Sequence, residues 1–484
     1  MAAEGPLAGG RRAAPDPPPV PVLDHPDPAP PDLPEPALAI AHRLQAAGHR
    51  VYLVGGAVRD HLLGRAPHDH DLATDARPEV VAALLPGAVT DDAAFGRVLV
   101  GDVDVLTLRR EGQYKDRRRP SQVVWTRSIR ADLARRDFTA NAMAWDLAPG
   151  TGGLVDPFGG RADLAAGLLR AVGRPERRFA EDALRVLRAI RLRAELGLSY
   201  HPSLARALAG AAADDLVGDL APERVRDECT RALTAPAGGM ALRDLQRFGL
   251  LAAVLPECVP MVGCVQTNPM HLWDVWEHSV RAVEAAAPRP HLRWAALLHD
   301  VAKPMCRTVG EDGVTHFYGH EAAGAEIARA LLRRLRFPEA FTAAVSGLVR
   351  HHMFAHGPET GLGAARRLVL ALGPDGARDL LELRRADRAA SRWGQGYGPE
   401  GERLLGHLRA IEGAGERLHL RDLEAGGRDV MALRGLAAGP EVGRVLRRMH
   451  QEVLDGRLPN RRPDLLEWLR TAAGDGARSA ERAP

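Results

Sequence analysis

The stretch from Leu53 to Thr74, LVGGAVRDHLLGRAPHDHDLAT, constrains the chain more than any other. A β-branched run, RVYLV, leads into Gly55-Gly56, and a helical pattern then begins near Ala57 and closes at Gly64. Paired glycines let a backbone approach a ligand closely, and a helix start turns unpaired N–H groups toward an anion. Arg59 falls in the first turn of that helix, within reach of the same anion. Asp69 and Asp71 follow, two residues apart in an extended run, so both carboxylates project from one face. Like charges side by side are unfavourable unless a cation sits between them. Asp104, in the alternating run GDVDVLTLRR, offers a third carboxylate from a neighbouring strand. Three oxygen ligands with room for phosphate suit Mg²⁺. The plainer alternative for HDHD is a solvated turn.

At 484 residues the chain has room for several compact units. Residues 1–36 are rich in Pro, Ala and Asp and read as a disordered tail. Residues 37–147 mix strand and helix, and beyond LVDPFGG the pattern is almost purely helical, with no convincing strand. The expected division is an α/β head over 37–147, a helical neck over 148–265, a histidine-rich helical domain over 266–392 and a helical tail over 393–484. No apolar run approaches the ~20 residues needed to cross a bilayer, and no signal peptide is visible. Four cysteines without a CxxC pair read as free thiols, so the expected location is the cytoplasm. The net charge of +3 balances 65 basic against 62 acidic residues, so any polyanion site must arise from local clustering.

Two basic segments show such clustering. RREGQYKDRRRP, Arg109–Pro120, carries six Lys/Arg in twelve residues, and a solvated loop is its ordinary reading. AEDALRVLRAIRLRA reads as one helix with an apolar stripe of Leu184, Leu187 and Ile190. Its polar stripe is Asp182, Arg185, Arg188 and Arg191, each three residues from the next. Further on, His278, His299-Asp300, His320, His351-His352 and Asp387 form an H…HD…D pattern with intervening histidines. Nitrogen and oxygen donors in that mixture suit a transition metal such as Ni²⁺ or Mn²⁺.

The glycine–aspartate stretch, together with VDVLTLRREGQYKDRRRP, DLARRDFTANAMAWD, LVDPFGGRADL and RFAEDALRVLRAIRLRAEL, resembles the class II tRNA nucleotidyltransferases and their bacterial poly(A) polymerase relatives. These enzymes fall within the polymerase-β-like nucleotidyltransferases. The five motifs run in order over about residues 50–200. The resemblance implies a polymerase-β-like α/β head, followed by a mostly α-helical body with an HD domain. It implies that Asp69 and Asp71 bind the catalytic metals with Asp104 as third carboxylate, and that Gly55, Gly56 and Arg59 hold the incoming nucleotide. Asp182 and Arg185 then read the Watson–Crick edge of the base, and Arg136, Arg188 and Arg191 contact triphosphate or ribose. The basic arm would serve the switch from C to A addition. The implied partners are the tRNA 3′ end, CTP and ATP, with no membrane. The histidine pattern resembles the HD phosphohydrolases, which implies metal binding by His278, His299, Asp300 and Asp387, and His320 with His351 or His352 at a second position.

Three activities fit these motifs. The first is CCA addition to tRNA, favoured because no RRF-type insertion of the polymerase branch follows Asp71. The second is poly(A) or A-only addition. The third makes the HD hydrolase the working enzyme and the head an RNA-binding module, which leaves the trio of Asp69, Asp71 and Asp104 without a purpose.

Overall fold

The computed structural model describes residues 29–67, 69–112, 122–268 and 270–471. Most of the basic arm, Arg109–Pro120, and most of the Pro-rich start therefore lie outside the described residues. The chain divides into two compact units between Val254 and Leu255.

The first unit is built on a mixed sheet whose early strands are β1 (Val51–Val54), β2 (Leu72–Thr74), β3 (Arg97–Val100) and β4 (Val103–Thr107). A separate ribbon pairs β5 (Arg109–Glu111) with β6 (Val123–Trp125), and β7 (Ala144–Asp146) and β8 (Leu154–Val155) complete the sheet. The order across it is β3-β4-β2-β1-β7-β8. The sheet thus runs on to Leu154–Val155, past the expected close of the head at 147. β1 reads VYLV and all four side chains are buried, as a strand covered on both faces requires. Tyr52, Val54, Ala73 and Ala144 pack with Leu108, Leu133, Ala142 and Val172 into one core. Truncating a leucine such as Leu133, fully buried here, typically costs about 2–5 kcal/mol.

One pairing positions the chemistry. β2 and β4 run parallel with Leu72 opposite Val105, so the preceding residues, Asp71 and Asp104, come to stand side by side. Along β4, Val103, Val105 and Thr107 are buried while Asp104 and Leu106 are half-buried, which is the alternation of a strand with one open face.

The helical part of this unit departs from the expected pattern in two ways. The stretch around Asp182 is not one helix: Pro175–Glu181 ends at Asp182, whose φ of −144° and ψ of 105° are extended, and a new helix spans Leu184–Leu196. Nor is that second helix solvated along an arginine stripe. Ten of its thirteen residues are buried, Arg185 and Arg191 among them, because it packs against the Pro222–Thr234 and Gly238–Arg247 helices. The body also contains short strands that the composition did not announce. Leu168–Leu169 pairs with Ser199–Tyr200, and Thr308–Val309 with Thr315–His316.

The second unit begins with helices Val275–Ala285, Pro290–Leu298, His320–Arg334 and Glu339–His351. A long helix, Leu362–Ala389, follows and is kinked where Gly373 takes φ 75° before Pro374. Toward the end, the helices Gly427–Arg434, Pro440–Leu454 and Arg462–Thr471 close a core of their own around Val430, Met449, Leu465 and Leu469. Among the described residues, no helix is long and apolar enough to cross a membrane.

Candidate active sites

At the start of β2, inside the head sheet, Asp71 is half-buried and Asp69 exposed. The Asp71 carboxyl is pushed up to about 6, first by burial and then by the negative charge of Asp104, with Asp69 adding to it and Arg136 and Arg97 opposing. Each of the three expected carboxylates thus feels or exerts the others' field. Among the described residues, however, the three do not close into one metal-sized cluster. Asp104 is drawn to Arg97, whose Nε donates to its Oδ1 at 2.8 Å. A divalent ion at Asp71 and Asp69 would relieve the repulsion that burial amplifies, so the donor set fits a hard cation.

The glycine turn faces the same place. Gly55 adopts φ 72° and ψ −128°, and a Cβ there would come within 2.9 Å of Arg136 Nη1. The backbone angle requires glycine, and the Arg136 guanidinium lies where a side chain would stand. A Cβ on Gly56 would meet Arg59 at 3.5 Å. The helix it opens, Gly56–Leu62, has only seven residues, so side chains and not a helix dipole carry the positive charge. Arg59 is fixed by two bonds of 2.9 Å to Asp60 and one of 2.7 Å to Asn141 Oδ1. Arg136 is held far more loosely, by contacts of 3.5 Å to the Asn141 carbonyl and to Asp132, and its buried Nε has no partner. It is the cation of the turn with most hydrogen-bonding capacity to spare.

Arg188 joins this group through Asp137. Its Nη2 lies 2.9 Å from Asp137 Oδ2, while Asp137 Oδ1 accepts from the Phe138 N–H at 2.8 Å and from Asn141 Nδ2 at 3.4 Å. Burial works to raise the Asp137 carboxyl, but Arg188 and these donors outweigh it and hold it low.

The remaining expected readers are otherwise engaged. Asp182 accepts from Arg224 Nη2 at 3.0 and 3.2 Å and from the Leu184 N–H at 3.1 Å. Arg185 donates to Glu181 at 2.8 Å and to the carbonyls of Arg178 and Arg135 at 3.1 and 3.0 Å. Arg191 is held by two carboxylates. Its guanidinium bonds Glu228 and Glu195 at 2.6 Å each, tying its helix to Pro222–Thr234.

The second unit gathers the histidine pattern into two adjoining triads, His278–His299–Asp387 and Asp300–His320–His352. His278 Nε2 lies 3.0 Å from Asp387 Oδ1 and 3.3 Å from His299 Nε2. Asp300 bridges the triads, with Oδ2 3.2 Å from His299 Nε2 and Oδ1 3.3 Å from His320 Nε2. Of the adjacent pair, His352 takes part; its Nε2 is 3.2 Å from that of His320. His351 is half-buried and outside both triads.

The backbone fixes the tautomers. Nδ1 of His299, His320 and His352 lies 2.9, 2.6 and 2.7 Å from the carbonyls of Ala296, Phe317 and Val349. A carbonyl only accepts, so each Nδ1 carries the hydrogen and each ring turns its Nε2 toward the cluster, the atom that could hold a metal. The Nε2 atoms of His320 and His352 stand 3.2 Å apart, close enough to share one metal ion with Asp300. Lys303 closes one side, its buried Nζ paired with the Asp300 carboxylate at 2.7 Å and donating to Gln266 Oε1 at 2.7 Å. A cavity of about 360 Å³ opens over the cluster, lined by Asp300, Lys303, His320, His352 and Asp387.

Comparison with known proteins matches the regions that hold these residues. Residues 51–170 match the Poly A polymerase head domain, 270–390 the HD domain and 410–469 a tRNA nucleotidyltransferase domain 2. The chain is 38% identical over 443 residues to the CC-adding tRNA nucleotidyltransferase of Thermus thermophilus, covering 86% of this chain and 93% of that protein. The chain belongs to the tRNA nucleotidyltransferase family. The A-adding tRNA nucleotidyltransferase of Deinococcus radiodurans is 37% identical, over 82% of this chain and 89% of its own. The crystal structure of the Bacillus stearothermophilus CCA-adding enzyme in complex with CTP superposes with a TM-score of 0.69 at 28% identity, covering 90% and 96% of the two chains.

In this nucleotidyltransferase several residues support the sites that sequence reasoning left unassigned. Arg97, Asp132, Asp137 and Asn141 hold the head's charged groups, and Gln266 and Lys303 those of the HD cluster. Lys303 had a signal, since it lies three residues past Asp300 at the start of a helix. Asn141 had little, because Arg59 is 82 residues away in sequence.

Proposed function

We propose that this nucleotidyltransferase adds or repairs the 3′-terminal CCA of tRNA from CTP and ATP. The observation that carries the reading is the juxtaposition of the Asp71–Asp104 pair with Arg136 at the glycine turn, an acidic metal-binding edge beside a cation with free donor capacity. Arg136 and Arg59 would bind the triphosphate, and Arg188, oriented by Asp137, the adjoining ribose or phosphate. The RNA 3′-hydroxyl oxygen then forms a bond to the α-phosphorus, the bond to the β-phosphate oxygen breaks, and pyrophosphate leaves. Mg²⁺ held by Asp69 and Asp71 supplies activation of the hydroxyl and neutralisation of the phosphates when bound. Asp182 and Arg185 present a carboxylate and a guanidinium to a base edge only if they exchange Arg224 and Glu181 for the nucleotide. Base recognition by Asp182 and Arg185 therefore involves a change of partners.

The names of the relatives support a second reading, addition of part of CCA, since one is CC-adding and the other A-adding. The same experiment decides between them. The enzyme is incubated with tRNA ending at the discriminator base, at C or at CC, with CTP, ATP or both, and product length is read. Full CCA from the shortest tRNA is expected, and no product at all from Asp71→Asn. Extension that stops at CC, or that begins only from CC, establishes the partial activity instead; long oligo(A) tails establish a poly(A) polymerase.

For the HD cluster we infer a metal-dependent phosphohydrolase. A transition metal such as Mn²⁺ or Ni²⁺ would be held by His278, His299, Asp300 and Asp387, with His320 and His352 at a second position. Such a metal lowers the pKa of bound water and polarises a phosphoryl oxygen. Lys303 is placed to neutralise the phosphate, and hydrolysis joins a water oxygen to phosphorus while the ester oxygen leaves with a proton.

A further inference from the structure

Two cations oppose the repulsion at Asp71, Arg136 and Arg97, and the sequence motifs announced only the first. Arg97 stands on β3, the edge strand of the head sheet. β3 and β4 pair antiparallel with Arg97 opposite Leu106 and Leu99 opposite Asp104. Arg97 and Asp104 therefore share a face on the diagonal, a span that a long side chain crosses. The Arg97 Nε–H donates to Asp104 Oδ1 at 2.8 Å, and Nη1 stands 3.6 Å from Asp92 Oδ2. The side chains of Arg97 and Asp104 are 45% and 27% exposed. Ion pairs in contact with water are weak, so this one opens at little cost, unlike the buried pair of Arg191 with Glu228. A guanidinium also takes phosphate as well as carboxylate, through two parallel bonds, so a triphosphate can draw Arg97 away from Asp104.

We propose that Arg97 is a positioning residue of nucleotidyl transfer that gates the third carboxylate. Its guanidinium holds Asp104 and competes with a divalent ion for it, and yields it when a nucleoside triphosphate offers phosphate oxygens in exchange. The proposal rests on the reading of Asp69, Asp71 and Asp104 as metal-binding carboxylates and adds how the third becomes available. Metal affinity at the head is then coupled to the nucleotide, and nucleotide affinity to the metal by the same factor.

The test is a Mn²⁺ titration of the full-length protein, read by electron paramagnetic resonance of the free ion, with and without CTP and with no RNA to extend. The binding that Asp71→Asn loses is the head's share, a subtraction that removes both the HD cluster and chelation by CTP itself. Without CTP, Arg97→Gln should bind this Mn²⁺ about fivefold more tightly than wild type, because it removes a competing pair and a like charge beside the ion. The gain should shrink at high salt, which screens the like charge. With CTP the two proteins should agree within about twofold. Arg97→Lys keeps the charge without the Nε bond and should fall between them, which keeps the test decisive if Arg97→Gln misfolds. Equal or weaker Mn²⁺ binding by both variants without CTP, or a difference that CTP leaves unchanged, overturns the gate and leaves Arg97 as a brace of the β3–β4 hairpin. If Asp71→Asn binds as much Mn²⁺ as wild type in both conditions, the carboxylate reading itself fails, and the gate with it.

Discussion

Arg136 and Arg185 were both expected at the incoming nucleotide, and their surroundings assign them different burdens. Arg185 is buried and donates to Glu181 and two backbone carbonyls, so its loss removes three bonds at once, although Glu181 keeps Arg178 and Arg177. Each hydrogen bond from a charged group is worth about 1.5–3 kcal/mol, so Arg185→Ala should cost at least about 2 kcal/mol. Arg136 has only long contacts and an unpartnered Nε, so Arg136→Ala should change thermal stability little and raise KM for nucleotide roughly tenfold or more. Denaturant melts and nucleotide-addition kinetics on the two variants check this. If Arg185→Ala melts like the wild type and loses only base discrimination, the buried bonding described above does not govern its role. Local spacing made the glycine turn and the two aspartates legible, since two residues apart in a strand fixes a shared face whatever the rest of the fold does. The bonds that hold those groups were not legible. Arg97 reaches Asp104 only because β3 pairs antiparallel with β4, and Asn141 reaches Arg59 only through tertiary packing.

Among elements, the strands expected from RVYLV and GDVDVLTL formed, whereas the short strands of the body were not announced and the arginine-rich helix departed from its pattern. Three-residue spacing from Asp182 to Arg191 is consistent with a continuous amphipathic helix, but it says nothing of what covers the polar stripe. The covering comes from Pro222–Thr234, which brings Glu228 to Arg191 and Arg224 to Asp182. Acidic and basic partners from a distant helix turn an apparently solvated face into an interior one. The arm after β5 poses the converse case. Arg109 spends its charge on Glu111 at 2.6 Å, whereas the further basic residues Lys115 and Arg117–Arg119 lie outside the described residues. Family resemblance gives this arm a part in the change from C to A addition. Replacing the residues between Glu111 and Arg119 with a short Gly/Ser link should therefore spare C addition within about twofold and reduce terminal A addition at least tenfold, where a tenfold rate change equals 1.36 kcal/mol of barrier. Product-length analysis with CTP alone and with ATP alone on matched tRNAs measures both. Equal loss of the two activities means that the arm holds RNA in general and has no part in the switch.

At the scale of the molecule, the carboxylates of the head belong to one compact unit and the HD cluster to the other, divided between Val254 and Leu255. Each set of side chains lies within its own unit: Asp69, Asp71, Asp104 and Arg136 in the first, and all six triad residues in the second. The histidine pattern was legible over more than a hundred residues because donors of that chemistry are scarce, whereas their sorting into two triads bridged by Asp300 needed the helices in place. Placement in different units predicts that the two chemistries separate by mutation. His299→Ala combined with Asp300→Ala removes one ligand from one triad and the bridging ligand from the other. It should lower phosphoester hydrolysis at least about a hundredfold and bring bound metal down to background, with tRNA extension within about twofold of wild type. Both residues are almost fully buried, and Lys303 loses an acceptor, so the second unit risks unfolding in this variant. Asp387→Asn is the milder substitution, since that side chain is 28% exposed and the amide keeps its size. It deletes a charged ligand of the first triad only, so it should cost hydrolysis and about half of the bound metal while the protein melts as before. The measurements are elemental analysis of the purified protein, ester hydrolysis across divalent metals, and tRNA extension in Mg²⁺. If Asp387→Asn abolishes tRNA extension as completely as hydrolysis while the protein remains folded, the two sites do not work independently and the division into self-sufficient units fails for function.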